Sequence, residues 1–171
     1  MGASANMPYF IKPSVSLSPE EKEEAYEQVL VALTANLEGV DDSVAKMATI
    51  NCILKTYLPY YYWVGFYIWK NGRLEVGPYQ GTLGCLYIDL GKGVCGKAAQ
   101  LRQTQIVEDC HALAEGTDHI TCDPNSLSEI VVPVIDQNEK LIAVLDVDST
   151  LPSSFDQIDK DYLEKVVAQF F

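Results

Sequence analysis

Five cysteines, Cys52, Cys85, Cys95, Cys110 and Cys122, are the residues best suited to covalent chemistry in this chain. Each must first be weighed as a small buried hydrophobe, the commonest role of a free cysteine. Cys52 lies between Ile50 and Ile53 on the inward side of a predicted helix and reads as core. Cys85 falls in a predicted strand, where core is also open. Cys95 stands in the turn Gly91-Lys92-Gly93-Val94-Cys95-Gly96, which opens a helix. Free N–H groups and the helix dipole favour a thiolate there. Cys110 and Cys122 belong to a long polar stretch, where burial is not the default. Cys122 precedes the turn signal Asp123-Pro124 and follows His119 by three residues.

Three chemistries compete for these residues. Cys110-His111 and His119-x-x-Cys122 carry metal-ligand types, but no C-x-x-C pair is present and the spacings match no common zinc pattern, so no metal is expected. No signature of a papain-like cysteine hydrolase surrounds any cysteine. Thiol redox chemistry fits better. A free cysteine is only about 3% ionised at pH 7 for a pKa near 8.5 and needs activation. Once oxidised to sulfenic acid it needs a second thiol within reach, and this chain has cysteines to spare.

The elements that must position them follow from length and pattern. With 171 residues, 48% hydrophobic and 21% charged, the chain fits one domain with an ample core. The net charge of −12, without a Lys/Arg cluster, argues against nucleic acid or an anionic membrane surface as partner. No apolar run approaches the roughly 20 residues of a membrane span. The N-terminus has neither a secretory pattern nor, with Asn6 in place of Ser or Thr, a myristoylation signal. A reducing, cytoplasmic setting is therefore expected.

Ser18-Pro19-Glu20-Glu21 predicts a capped helix start, with Tyr26, Val29, Leu30, Leu33 and Leu37 on its apolar face and Gly39 at its end. A second helix is predicted over Ser43–Tyr57, with Val44, Met47, Ile50, Ile53 and Leu54 inward. Strands are predicted over Tyr60–Trp69 and Arg73–Pro78 around the hairpin turn Asn71-Gly72, then over Cys85–Leu90, Thr104–Val107, Glu129–Ile135 and Leu141–Val147. A short helix spans Val94–Leu101, and the last begins near Asp156. The expectation is one α/β (α+β) domain over residues 17–171, preceded by a flexible arm at 1–16. Its mostly antiparallel sheet would have about six strands.

Six segments stand in an order that carries more than pattern. These are Trp63-Val-Gly-Phe-Tyr67, Gly77-Pro-Tyr-Gln-Gly81, Gly91-Lys-Gly-Val-Cys-Gly96, His119-Ile-Thr-Cys-Asp123, Ser128-Glu-Ile-Val-Val-Pro133 and Val144-Leu-Asp-Val-Asp148. Together they resemble the free methionine-(R)-sulfoxide reductases, single GAF-domain enzymes, over nearly the whole chain. The resemblance implies a GAF fold with helices packed mainly on one face. It also implies that Cys122 is the nucleophile, Cys85 the principal resolving cysteine and Cys95 an additional one. Cys52 and Cys110 fall outside that set. It further implies free methionine-(R)-sulfoxide as substrate, no bound cofactor, thioredoxin or another dithiol as reductant, and a homodimer.

The resemblance casts Glu129, Asp146 and Asp148 as an acidic cluster. Asp146 and Asp148 alternate with Leu145 and Val147, so both acids share a face. Crowded carboxylates raise one another's pKa and can keep a proton for the sulfoxide oxygen. Trp63 and Tyr67, also on one strand face, would form the wall for the substrate methyl group, and the N–H groups around Gly91–Gly96 would hold its carboxylate. Between Asp109 and His119 the chain carries a few more residues than the family pattern, including Ala114–Asp118, just before Cys122. The rival reading is a GAF sensor that binds a small ligand without chemistry.

Overall fold

The structure is a computed structural model that describes residues 13–112 and 123–171. Helix α1, Pro19–Leu37, starts as its sequence predicts: the Ser18 N–H donates to the Glu21 carboxylate (2.7 Å) and the Glu21 N–H donates to Ser18 Oγ (3.2 Å). Asp42 caps α2, Ser43–Tyr57, by accepting from the Ala45 N–H. Strands β1, Trp63–Lys70, and β2, Arg73–Gln80, are joined by Asn71 and Gly72, both at positive φ, the conformation a two-residue hairpin turn requires. There follow β3 (Tyr87–Asp89), α3 (Gly93–Leu101), β4 (Gln105–Val107), β5 (Ser128–Ile135), β6 (Leu141–Ser149) and α4 (Gln157–Phe170).

The six strands form one antiparallel sheet in the order β3-β2-β1-β6-β5-β4. Alternation sorts its side chains. Val64 and Phe66 of β1, Ile130 and Val132 of β5, and Leu145 and Val147 of β6 face α1, α2 and α4 in the main core. Trp63, Tyr67, Val131 and Val144 face the other way, against Val94, Cys95, Ala98 and Ala99 of α3. Among the described residues α3 is the helix on this second face, and Gly96 lets its first turn close on the end of β3: a Cβ there would lie 2.4 Å from the Asp89 carbonyl oxygen.

A polar network docks α1, α4 and the segment before β1. The buried Lys22 ammonium pairs with Asp159 (2.6 Å) and Asp156 (2.9 Å). Asp159 also accepts from the Tyr26 and Tyr60 hydroxyls, and Tyr26 and Tyr61 share a hydrogen bond.

Several sequence readings are corrected. Cys52 is exposed, not core, because the buried stripe of α2 runs through Met47, Ile50, Asn51 and Leu54, and Asn51 takes the inward place. Val44 is exposed because that stripe starts a turn later. Cys85 lies in the connection before β3 rather than in a strand. Cys110 is buried, although its stretch reads as loop. The predicted nucleophile Cys122, His119 and the additional residues Ala114–Asp118 lie outside the described residues, as do the first twelve.

Candidate active site

Strand register assembles the site from distant parts of the sequence. Trp63 of β1 pairs with Asp148 of β6, which pairs with Glu129 of β5, so the three stand in one row across adjacent strands. The next row on this face is Gly65, Asp146 and Val131. A slip of one residue would turn every one of these side chains to the other face. Helix α3 covers the rows from above, and a cleft is left between them, lined also by Gly84, Cys85 and Cys95.

One wall is aromatic. The rings of Trp63 and Tyr67 stack with centroids 5.8 Å apart, and Trp63 and Tyr79 stack at 5.1 Å. Gly65, between Trp63 and Tyr67 on the same face, makes room for the indole: a Cβ there would meet Tyr79 Cβ at 2.3 Å and the Trp63 ring at 2.6 Å. The Trp63 Nε1–H donates to the Thr82 carbonyl (2.9 Å), which fixes the ring's orientation.

The neighbouring strands β6 and β5 make the adjoining part of the same face acidic. Glu129 and Asp146 are buried, and among the described residues none of Glu129, Asp146 and Asp148 takes part in an ion pair. Burial, with the charges of Asp146 and Asp148, holds the Glu129 carboxyl well above its usual range. Burial and Asp146 do the same to Asp148, against the hydrogen bond it accepts from Ser126 Oγ. Burial raises Asp146 to about 6, moderated by bonds from Glu129 and Cys95. The cluster therefore keeps protons near neutral pH, which is what an acid catalyst needs. Asp146 Oδ1 is buried without a hydrogen-bond partner among the described residues.

The thiols differ from expectation. Cys95, in the first turn of α3, is buried 4.0 Å from Glu129 Oε1. Burial, then Asp146, Glu129 and Asp148, push its thiol far up, so the predicted thiolate at a helix start is overturned: desolvation and facing carboxylates outweigh the helix dipole. Cys110, raised to about 12 by burial and by Asp148 and Asp146, sits behind the same cluster. Cys85 is disulfide-bonded, whereas Cys52, Cys95 and Cys110 are free thiols.

Sequence reading missed a clasp beside the predicted nucleophile. Asp123 Oδ2 accepts from Thr82 Oγ1 (2.5 Å) and the Tyr62 hydroxyl (2.9 Å), while Oδ1 accepts from the Asn125 N–H and Nδ2. Burial alone would raise this carboxyl, but the bonds from Thr82, Asn125 and Tyr62 outweigh it and hold Asp123 low. Thr82 thus connects the aromatic wall, through its carbonyl, to the residue that follows Cys122. The signals in the sequence were the turn residue pair Asp123-Pro124 and the place of Asp123 in the segment His119-Ile-Thr-Cys-Asp123, neither of which names Thr82 or Tyr62 as partners. Ser126, the donor to Asp148, gave no signal.

Comparison with known proteins agrees with this geometry. The GAF domain family matches residues 23–170. The Free methionine-R-sulfoxide reductase of Escherichia coli is 37% identical over 148 residues, 86% of this chain and 87% of that protein. Its Saccharomyces cerevisiae namesake is 36% identical over 152 residues, 85% of this chain and 83% of that protein. The X-ray structure of free methionine-R-sulfoxide reductase from Neisseria meningitidis in complex with its substrate superposes with a TM-score of 0.79 at 34% identity, covering 92% of each chain.

Proposed function

This chain belongs to the GAF-domain family of free methionine-R-sulfoxide reductases, and from that premise we propose that it reduces free methionine-(R)-sulfoxide to methionine with Cys122 as nucleophile. The observation that carries the proposal is the meeting, in one cleft, of an aromatic wall, a proton-holding acid cluster and two of the family's three cysteine positions.

The thiolate of Cys122 attacks the sulfoxide sulfur while a carboxyl of the cluster protonates the oxygen. The oxygen passes to Cys122 as sulfenic acid, and methionine leaves. Cys85 then attacks the Cys122 sulfur, water departs, and a disulfide remains. Support for this role is that Cys85 is already committed to a disulfide while Cys95 stays free. Thioredoxin or another dithiol restores both thiols by exchange. The methyl group packs on Trp63 and Tyr67. The α-carboxylate meets the first turn of α3, whose cap residue Lys92 supplies no side-chain bond to the free N–H groups. No bound cofactor is needed, the functional unit is a homodimer, and the setting is cytoplasmic.

The test is to incubate the reduced protein with free methionine-(R)-sulfoxide, its S epimer and a peptide-bound sulfoxide. Methionine is expected from the free R form alone, and not from Cys122→Ser. Activity surviving in Cys122→Ser would overturn the nucleophile. Silence with all three substrates would instead favour a GAF sensor that binds without chemistry.

A further inference from the structure

One thiol and two carboxylates meet in this cleft from three separate elements. Cys95 of α3, Glu129 of β5 and Asp146 of β6 are all buried, and one ligand atom of each lies within 4.8 Å of the others. Their positions are far apart in the chain, so no ligand motif marks them, and the spacing patterns that exclude zinc elsewhere in the sequence do not bear on them. A second observation points to an occupant. Among the described residues Asp146 Oδ1 has no hydrogen-bond donor, although Asp146 is only 6% exposed and lines the cleft. Such an atom carries an unmet demand for positive charge or a proton.

We propose that this trio is an inhibitory site for a thiophilic divalent cation of the zinc class, held by Cys95 Sγ, Glu129 and Asp146. One sulfur and two oxygens suit Zn²⁺ or Co²⁺ and would not attract Mg²⁺ or Ca²⁺, which take oxygen only. Zinc bonds of about 2.3 Å to sulfur and about 2.0–2.2 Å to oxygen place tetrahedral ligands roughly 3.5 Å apart. The Cys95 Sγ to Glu129 Oε1 separation of 4.0 Å is therefore near what the ion requires. The fourth position faces the cleft and takes water. Binding changes no oxidation state: the Cys95 thiol proton and any proton on the two carboxyls pass to solvent. The ion occupies the acid cluster, so it excludes the sulfoxide and removes the protons the reaction uses. Only this inhibitory consequence rests on the proposed function; the binding itself does not.

The site also has a redox signature. Cys95 is free while Cys85 is in a disulfide, so the cation site persists in the disulfide form.

The experiment titrates Co²⁺ into the metal-free full-length protein, once reduced and once with its disulfide formed. Both forms are expected to show tetrahedral d–d bands and a near-ultraviolet thiolate-to-cobalt band, which Zn²⁺ abolishes. Cys95→Ser should lose the near-ultraviolet band and Asp146→Asn should bind at least tenfold more weakly, with Cys52→Ser unchanged. Free methionine-(R)-sulfoxide should displace the cobalt signal. A band retained in Cys95→Ser, a band lost on disulfide formation, or no band in the wild-type protein would each overturn the site. Since the bands are read without turnover, their failure is distinct from failure of the sulfoxide assay.

Discussion

At the scale of single residues, the acid cluster gives the cleft its dependence on pH. Glu129, Asp146 and Asp148 are raised by burial, so the folded protein binds protons that the unfolded chain has released. The linkage then has one sign: this contribution is present below the ordinary carboxyl pKa and is lost as pH rises through the folded values, for Asp146 from near 4 to beyond about 6. Asp146→Asn should therefore melt higher than wild type at pH 8, with the gain shrinking toward pH 4, in thermal scans across that range. Glu129→Gln keeps shape but cannot give up a proton, and turnover of the free R sulfoxide should fall by about 10²–10⁴, the usual weight of a general acid. The placing of Asp146 and Asp148 on one face was legible from their alternation with Leu145 and Val147. The state of Cys95 was not, because it depends on carboxylates that approach from β5 and β6. Cys52 misled for a simpler reason: flanking isoleucines do not fix helical phase, and two positions turn a helix by about 200°.

At the scale of elements, glycines and a clasp decide how precisely the site is held. Gly65 gives the indole of Trp63 its seat, so Gly65→Ala must push Trp63 or Tyr79 away. We expect a raised KM for the sulfoxide in steady-state assays, with the cap and core of the domain unaffected in circular dichroism. The Tyr62–Asp123–Thr82 clasp ties the residue after Cys122 to the segment leading to Cys85. Asp123→Ala should leave the first methionine released per enzyme but slow disulfide formation, so that a sulfenic-acid probe labels Cys122 for longer. Unchanged labelling would remove Asp123 from that role. Strand and helix spans were largely legible here, since the Asn71-Gly72 turn and the Ser18 capping box are local signals. The clasp was not, for it joins residues 41 apart in sequence.

At the scale of the whole molecule, the helix layer depends on a buried charge. Lys22 and Asp159 are almost fully enclosed, and Lys22→Met leaves the carboxylate with only its tyrosine and backbone donors. The expected loss is about 3–5 kcal/mol in urea unfolding, the cost of stranding a buried charge. Sequence pattern gave the six strands and one antiparallel sheet because alternation and short turns are local. It could not give the order of strands, since the pairing of β1 with β6 is written in no neighbouring residues.

That central pairing has a consequence for how the protein comes into being. β1–β2 and β5–β6 are hairpins that can close early on their own short turns. The seam between them, where Trp63 meets Asp148, bridges most of the chain between the two hairpins. Such long-range closure is the slow event in folding. During synthesis all five cysteines leave the ribosome before β6 does, so the thiols exist for a time with no pocket to restrain them. A released chain truncated before Leu141 should react at every cysteine with a small alkylating probe, whereas the finished protein should shield Cys95 and Cys110.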